Sequence, residues 1–336
     1  MNIVNSQIAI CGVTLSNRLV MPPMATPKSA DDGLATDELC QYYQEKSRGG
    51  CIGLVITEHS YVDIAGKAHK GQLSIAEDAA IAGLSRLTEA IHRNNTPVFA
   101  QLSHAGGRAP FDATGRVPIA PSAVELPRSK PGSVVPREMT LEEIAALVAA
   151  FAQAARRAKQ AGYNGVEIHC AHSYLLNQFL SPLSNKRQDK YRGDTLEGRT
   201  RLHLEIIAAI RETVGTRYPI AMRLAASDFI PGGITLEDAV QASQLFEAAG
   251  LNMLDISGGF GGYQRPGRTE PGYFSDLSAA VREAVSIPVM LTGGVHNAFE
   301  AERLLALGSA DLIGIGRALL ANLPERLWQR EGCESV

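Results

Sequence analysis

The chain has 336 residues, and its 32 Lys and Arg against 35 Asp and Glu give a formal net charge of −3. Hydrophobic residues make up 45% and charged residues 20%, which excludes an intrinsically disordered protein. The near-neutral balance argues against a nucleic-acid-binding protein, because phosphate contacts require clustered Lys and Arg. The unusual features are 32 Gly and only 6% aromatic residues.

The N-terminal segment and the cysteines predict a cytoplasmic protein with no membrane partner. The start of the chain lacks the charged and long apolar regions of a signal peptide. The most apolar stretch, 144–155, is about half of a membrane span, so it predicts a core-facing helix. No CxxC pair is present, and we therefore expect neither a metal site nor an iron–sulfur cluster. The cysteines are Cys11, Cys40, Cys51, Cys170 and Cys333.

Short apolar runs alternate with longer periodic segments along the chain. The runs are aliphatic or β-branched with little alternation, which is typical of parallel strands buried on both faces. The predicted strands are 19–21, 53–57, 97–102, 165–169, 220–224, 253–256, 288–291 and 312–315. The predicted helices are 36–47, 77–93, one opening at Thr140, 196–213, one opening at Thr235, 275–284, 297–307 and 318–328.

Two of these helices begin with capping signals. Thr140 opens the motif T-L-E-E, a capping box with Glu143 at its third helical position. Thr235 opens T-L-E-D, where Asp238 offers a weaker version of the same cap. Both motifs place a helix start directly before an apolar periodic segment.

Strand–helix alternation repeated eight times predicts an α/β fold, a (β/α)8 TIM barrel, with 1–336 as a single domain. A doubly wound parallel sheet also alternates strands and helices and is the alternative. Segment 3–15 is predicted to be a hairpin that plugs the bottom of the barrel. Segment 105–139 is long, rich in Pro and Gly and poorly periodic, which predicts a lid loop after the third strand.

Polar or glycine-rich groups follow one predicted strand after another. In a barrel these carboxyl ends of the strands form the active site, so the groups should converge there. They are PPMA at 22–25, EH at 58–59, QLSH at 101–104, HCAHSY at 169–174, Arg223, SGG at 257–259, TGG at 292–294 and GIGR at 314–317.

The last two strand ends carry a candidate phosphate site. Bare backbone N–H groups at Gly293, Gly294 and Gly316, together with Arg317, can cradle a phosphate. Ordinary turns between strand and helix are the alternative. The motif GIGR lacks the third glycine of a dinucleotide fingerprint, so a nicotinamide bound on a Rossmann unit is not expected.

The fourth strand end carries candidate catalytic residues. Neutral imidazoles at His169 and His172 can donate hydrogen bonds to one developing oxyanion, and Tyr174 can supply a proton. A metal site that includes Cys170 and a pair of structural histidines are the alternatives.

Arg223 closes an otherwise apolar strand and needs a partner. A salt bridge to a core carboxylate such as Glu167 is one interpretation. The other is an anionic ring system, which Gln101 at a neighbouring strand end could also bind through its donor and acceptor groups.

Four motifs spread along most of the chain: NRLVMPPMA at 17–25, VITEHS at 55–60, QLSHAGGR at 101–108 and the run at 166–199. They resemble the old yellow enzyme family of flavin-dependent oxidoreductases, and within the last run the residues that match the family pattern are Asn185, Arg187, Asp189, Tyr191, Gly193, Glu197 and Arg199. The resemblance implies tightly bound, non-covalent FMN in a TIM barrel, with NAD(P)H as a transient hydride donor.

The resemblance also implies a role for each candidate residue. Backbone groups would line the flavin at Pro23, Met24 and Ala25, with His59 at a position where a small residue is frequent. Gln101 would hold the pyrimidine edge and Arg223 the N1/O2 side, and the phosphate would lie on Gly293, Gly294, Gly316 and Arg317. His169 and His172 would bind a substrate carbonyl oxygen, and Tyr174 would donate the proton.

The implied reaction is reduction of the C=C bond of an α,β-unsaturated carbonyl compound, with hydride passing from NAD(P)H to flavin N5 and then to the substrate. NAD(P)H and the enone would use one pocket in turn, and segment 105–139 would cap it. A flavin oxidoreductase acting on quinones or nitro compounds and a cofactor-free barrel binding a phosphorylated metabolite are the alternatives. The sequence leaves the oligomeric state open, and a homo-oligomer is one of the alternatives.

Three departures from the family pattern accompany the resemblance. Ala25 stands where close relatives often have Cys or Thr, so it offers no side-chain bond to flavin O4. Pro27 stands where one subgroup has a substrate-contacting Tyr. Larger family members carry an iron–sulfur cluster and a second nucleotide domain, and without a Cys cluster we do not expect that architecture here.

Overall fold

The computed structural model describes residues 3–328. Its strands are β1 (Ile8–Ile10), β2 (Val13–Leu15), β3 (Leu19–Met21), β4 (Leu54–Tyr61), β5 (Val98–Ser103), β6 (Ile119–Ala120), β7 (Arg137–Glu138), β8 (Gly165–Cys170), β9 (Ile220–Ala225), β10 (Met253–Ser257), β11 (Val289–Thr292) and β12 (Leu312–Gly314). Its helices are α1 (Asp37–Lys46), α2 (Ile81–His92), α3 (Phe111–Thr114), α4 (Leu141–Gln160), α5 (Leu175–Leu180), α6 (Leu196–Val214), α7 (Leu236–Ala248), α8 (Ser275–Ala284), α9 (Ala298–Ala306) and α10 (Arg317–Ala321).

Eight parallel strands close into a barrel in the order β3, β4, β5, β8, β9, β10, β11 and β12. The closing contact is the parallel pairing of β12 with β3, which sets Ile313 opposite Leu19. A doubly wound sheet would leave two open edges, so this pairing excludes it. The predicted (β/α)8 barrel is therefore confirmed. Every residue of β5, β8 and β9 is buried, which explains why these strands lack a regular alternation of polar and apolar residues.

The N-terminal hairpin closes the lower end of the barrel, as predicted. Strands β1 and β2 pair antiparallel, with Ile8 opposite Leu15. The fully buried Leu15 packs with barrel residues that include Phe99 and Met290. The amino ends of the strands are thus covered by apolar side chains, and the carboxyl ends are left for chemistry.

Both predicted capping motifs form. Thr140 and Glu143 exchange side-chain-to-backbone hydrogen bonds at the start of α4. At α7, Asp238 accepts from the backbone N–H of Thr235 at 3.2 Å and completes the predicted box, with a longer bond than the 2.8 Å at Thr140. Asp238 is also fixed by Arg199 at 2.7 Å, which holds the short carboxylate in place.

Two predicted helices are shorter than expected. The segment 77–93 forms a 3-10 turn at Asp78–Ala80 before α2 begins. The segment 318–328 breaks after α10 and resumes as a 3-10 turn at Pro324–Trp328. Pro324 disfavours helical backbone at the residue before it, which accounts for the break. Within residues 3–328, no helix is both long and apolar enough to cross a membrane.

Segment 105–139 contains regular secondary structure and is not a plain loop. It contains α3 and the small parallel pair of β6 with β7, none of which was predicted from the sequence. Arg108 ties it together by donating to the carbonyl of Pro127 and to Ser129 Oγ at 3.1 Å. Arg108 also donates to Ser173 Oγ at 3.2 Å, which joins this segment to the fourth barrel-strand end.

Candidate active site

A cavity of about 600 Å³ opens at the carboxyl ends of the barrel strands, within the size range of cofactor and ligand sites. All of the predicted site residues line it: Pro23, Met24, Ala25, His59, Gln101, His169, His172, Tyr174, Arg223, Gly293, Gly294, Gly316 and Arg317. The strand-end argument therefore located the cavity correctly. Individual roles within it stay predictions.

Sequence reasoning missed part of the wall. Tyr263 and Tyr273 line the cavity from the loop between β10 and α8, and His296 lines it after β11. No periodic pattern marks this loop, and only the SGG motif before it signalled a strand end. Tyr263 is 60% exposed and its ring lies edge-on to His172, with ring centres 6.2 Å apart. Segment 105–139 does not contribute to the described lining; it reaches the rim through Arg108 and through Arg128, which donates to Gly261 O at 3.3 Å.

The two histidines and the tyrosine after β8 form one cluster. The ring centre of His169 lies 5.0 Å from that of His172 and 5.1 Å from that of Tyr174. His59, at the end of the neighbouring strand β4, has its ring centre 5.5 Å from that of Tyr174. Three imidazoles and one phenol therefore face the same end of the cavity.

An unusual backbone conformation orients this cluster. His172 and Ser173 have φ of 56° and 61°, in the left-handed region that costs non-glycine residues about 1–3 kcal/mol each. Three hydrogen-bonding contacts offset this cost. The N–H of His172 donates to Gly258 O at 3.0 Å, its Nε2 lies 2.7 Å from Ser257 Oγ, and the N–H of Ser173 donates to Asn177 Oδ1 at 2.7 Å.

A buried carboxylate connects this turn to the rest of the rim. Asp228 is fully buried and accepts from Ser181 Oγ at 2.6 Å and from the N–H groups of Ile234 and Phe260, both at 2.9 Å. Asn177 donates to it at 3.4 Å. One carboxylate therefore holds α5 and the loops after β9 and β10 together. No local sequence pattern indicates it.

Burial sets the protonation of the cluster. Desolvation, followed by the nearby His172 and His59 rings and then Arg223, holds the pKa of His169 well below its usual value. Desolvation and Arg223 do the same to the pKa of His172, and desolvation lowers the pKa of His59 to about 3. Desolvation raises the pKa of Tyr174 to about 12. At neutral pH the site therefore offers neutral imidazoles and a protonated phenol.

The floor of the cavity is polar, and the ion-pair partner of Arg223 differs from the one that the sequence suggested. The carboxylate beside Arg223 is Asp255, whose Oδ2 lies 3.0 Å from the Arg223 Nε, and not Glu167 as proposed. Glu167 instead accepts from Gln101 Nε2 at 2.8 Å. Strand pairing explains this, because Arg223 lies opposite Asp255 in the register of β9 and β10, whereas Glu167 lies opposite Gln101.

The glycines at the far side of the cavity allow close packing of its wall. A Cβ at Gly293 would lie 2.7 Å from Tyr273 Cε2, and one at Gly316 would lie 3.2 Å from Met24 Sδ. Gly294 has a φ of 69°, which disfavours any side chain. The exposed Arg317 lies beside these glycines on the cavity wall.

The donor set of the cavity fits FMN. Arg223 and Arg317 supply positive charge, and Gln101 supplies amide groups that match a heterocycle edge. One buried nitrogen, His169 Nδ1, has no hydrogen-bond partner in the described structure, whereas Arg223 Nε faces Asp255 Oδ2 at 3.0 Å. Positive charge beside amide donor and acceptor groups suits a ring system with carbonyl oxygens. Cys170, in contrast, is buried in the apolar core, and no three His, Cys, Asp or Glu side chains among residues 3–328 are arranged for a metal.

Comparisons with known proteins agree with this geometry. The model of the NADH:flavin oxidoreductase / NADH oxidase family matches residues 6–330. The chain is 40% identical to NADH oxidase of Thermoanaerobacter brockii over 98% of its own length and 50% of that protein, so it spans about half of this relative. It is 37% identical to NADPH dehydrogenase of Geobacillus thermodenitrificans, covering 93% of this chain and 88% of that one. The structure of the old yellow enzyme homologue from Zymomonas mobilis superposes with a TM-score of 0.83 at 27% identity, covering 96% and 90% of the two chains.

Proposed function

This chain belongs to the NADH:flavin oxidoreductase / NADH oxidase family, which contains the old yellow enzymes, and from that premise we propose that it is an FMN-dependent NAD(P)H oxidoreductase. We further propose that it reduces the C=C bond of α,β-unsaturated carbonyl compounds. The observation that carries the proposal is the cluster of His169, His172 and Tyr174, which faces a cavity also lined by Gln101 and Arg223.

In this proposal the barrel, with segment 105–139 as its lid, is one FMN-binding domain. Gln101 and Arg223 would hold the ring system, and Arg317 with the backbone at Gly293 and Gly316 would hold the phosphate. The chemistry that bound FMN would supply is hydride transfer between NAD(P)H and the substrate. Arg223 would favour the reduced anionic form, since a positive charge near the ring stabilises added negative charge.

His169 and His172 would bind and polarise the substrate carbonyl oxygen. Both imidazoles are neutral at neutral pH because burial lowers their pKa, so each donates one hydrogen bond without presenting a full charge. The contact with Ser257 and the left-handed turn orient His172 before any ligand arrives. Fixed donors directed at a developing oxyanion are the main source of stabilisation in such sites.

Tyr174 would donate the proton that completes the reduction at the substrate α-carbon. Its phenol stays protonated at neutral pH because desolvation raises its pKa to about 12. Its ring lies against His169, which places it beside the oxygen-binding end of the cavity. NAD(P)H and the enone would occupy the same cavity in turn, which accounts for hydride transfer without a Rossmann unit.

The proposal is tested by separating the two half-reactions. The purified chain should bind FMN, and NADPH or NADH should bleach the flavin absorbance under anaerobic conditions. Reoxidation by cyclohexenone should then be fast, and Tyr174→Phe should slow this step alone. Reoxidation by quinones or nitro compounds but not by enones would refute C=C reduction. Failure to bind FMN would refute the whole proposal.

A further inference from the structure

We propose that Glu167 and Asp255 form a buried acid pair beneath the cavity that holds one proton, carried by Glu167, and that Asp255 is the counter-ion that limits the positive charge of Arg223. The inference deepens the proposed FMN site and rests on it. Glu167 and Asp255 do not line the cavity themselves. Their proposed role is to position the residues that do and to control the charge of Arg223.

Both carboxylates lie behind residues of the cavity floor. Glu167 and Asp255 are both fully buried. Gln101, which lines the cavity, donates to Glu167 Oε1 at 2.8 Å. Asp255 Oδ1 accepts from Thr292 Oγ1 at 2.9 Å, and Asp255 Oδ2 lies 3.0 Å from Arg223 Nε. Both Thr292 and Arg223 line the cavity.

One cation cannot compensate two carboxylates at this depth. Glu167 Oε2 and Asp255 Oδ2 have no aligned hydrogen-bond donor in the described structure. Two ionised carboxylates would repel each other and lack solvation, and in such pairs one group keeps its proton. Net neutrality results when Arg223 and one carboxylate are charged.

The partners decide which carboxylate keeps the proton. Asp255 has the guanidinium of Arg223 at 3.0 Å and the hydroxyl of Thr292, whereas the hydrogen-bond partner of Glu167 is the neutral amide of Gln101 and Arg223 acts on it without a hydrogen bond or ion pair. Desolvation and then Asp255 hold the pKa of Glu167 well above its usual value. Desolvation raises the pKa of Asp255 less, to about 6, because Arg223 opposes it. The ionised form therefore belongs to Asp255.

The other titratable groups around the pair do not supply a second cation. His59 on β4, His169 on β8 and His172 beyond it are held neutral by burial. Glu58 on β4 accepts from Thr26 Oγ1 at 2.6 Å and contributes no positive charge. Gln101 on β5 and Thr292 on β11 are uncharged. Among the described residues, Arg223 is thus the cation available to Glu167 and Asp255.

A proton on Glu167 has a direct spectroscopic signature. The full chain as purified should show the carbonyl stretch of a protonated carboxylic acid at about pH 9, where ordinary carboxylates are ionised. The band should vanish in Glu167→Gln. Glu58→Gln is the matched control, because Glu58 is also buried but its pKa, which desolvation raises to about 7, leaves it ionised at that pH. This measurement does not depend on FMN, so it separates failure of this inference from failure of the proposed function. A wild-type spectrum without the band would overturn the inference.

The charge on Asp255 has a separate readout in the cofactor. Asp255→Asn made in the Glu167→Gln background removes both carboxylates, so it should leave Arg223 uncompensated and strengthen binding of reduced relative to oxidised FMN at least tenfold, a rise of about 30 mV for a two-electron couple. Glu167→Gln should change that ratio less than twofold, because it replaces a neutral group with a neutral isostere. A shift in Glu167→Gln alone as large as the further shift in the double variant would mean that both carboxylates are ionised, and an unchanged ratio in the double variant would assign Asp255 a structural role only. Either result contradicts the proposal.

Discussion

The two ends of the cavity are built on different principles. The histidine end comprises His169, His172 and Tyr174, and the phosphate end comprises 293–294 and 316–317. At the histidine end, buried side chains are fixed by hydrogen bonds to distant segments, such as the contact of His172 with Ser257. At the phosphate end, glycine backbone and the exposed side chain of Arg317 form the wall.

This difference separates two tasks of the proposed enzyme. Donors that stabilise charge in a reaction must be in place beforehand, and the cost of the left-handed turn at His172 and Ser173 is borne by tertiary contacts for that purpose. A phosphate site needs only accessible N–H groups and a cation, which can adjust as the ligand binds. Substitutions at the histidine end should therefore affect chemistry, and those at the phosphate end should affect affinity.

The largest effect is expected for Tyr174→Phe. Loss of a general acid should reduce turnover of an enone about 10²–10⁴-fold while flavin reduction by NADPH stays unchanged. Stopped-flow measurement of both half-reactions provides the check. Tyr263→Phe is the control, since Tyr263 also lines the cavity but lies largely exposed. Equal slowing of both half-reactions in Tyr174→Phe would contradict a proton-donor role.

A smaller effect is expected at the phosphate end for Arg317→Ala. Loss of a charged hydrogen bond of about 1.5–3 kcal/mol should weaken FMN binding about 10–100-fold. Fluorescence titration of FMN measures this, and the difference should shrink at high salt because Arg317 is exposed. Arg303→Ala, at an exposed position on α9, is the matched control. Unchanged FMN affinity would remove Arg317 from the phosphate site.

A modest effect is expected for Ser257→Ala at the histidine end. His172 loses the partner of its Nε2, a contribution of about 1 kcal/mol, so binding of a phenol should weaken about fivefold with FMN affinity unchanged. Ser278→Ala removes another buried, hydrogen-bonded serine outside the cavity and serves as the control. Weaker FMN binding in Ser257→Ala alone would show that the two ends are not separate.

The smallest effect concerns pH. Because the pKa values of His169 and His172 lie well below their usual range, both rings stay neutral as pH falls from about 8 to 5. Affinity for a phenol that does not itself ionise in this range should therefore stay flat. Spectral titration at several pH values tests this. A tenfold change with a midpoint near the ordinary histidine value of about 6.5 that persists in Asp255→Asn and in Glu58→Gln, which remove the two buried carboxyl groups with pKa values near this range, would show that an imidazolium takes part.

Local sequence patterns were sufficient for the barrel and for the position of the cavity. Strand periodicity and helix caps act over a few residues, so Thr140 and Thr235 marked helix starts that the structure contains. Because parallel strands in a barrel end on one side, listing their carboxyl ends brought Gln101, His169 and Arg223 to the same cavity. The rule that parallel barrel strands end on one side predicted which distant residues lie close together, which local patterns do not encode.

Tertiary structure alone decided how those side chains are held. Ser257 lies 85 residues from His172, and Asp228 lies 51 residues from Asn177. Asp255 rather than Glu167 is the carboxylate beside Arg223 because strand register, which no local pattern encodes, sets them opposite each other. The sequence by itself therefore determined which groups reach the cavity, whereas only the closed barrel determined their partners, their burial and hence their protonation.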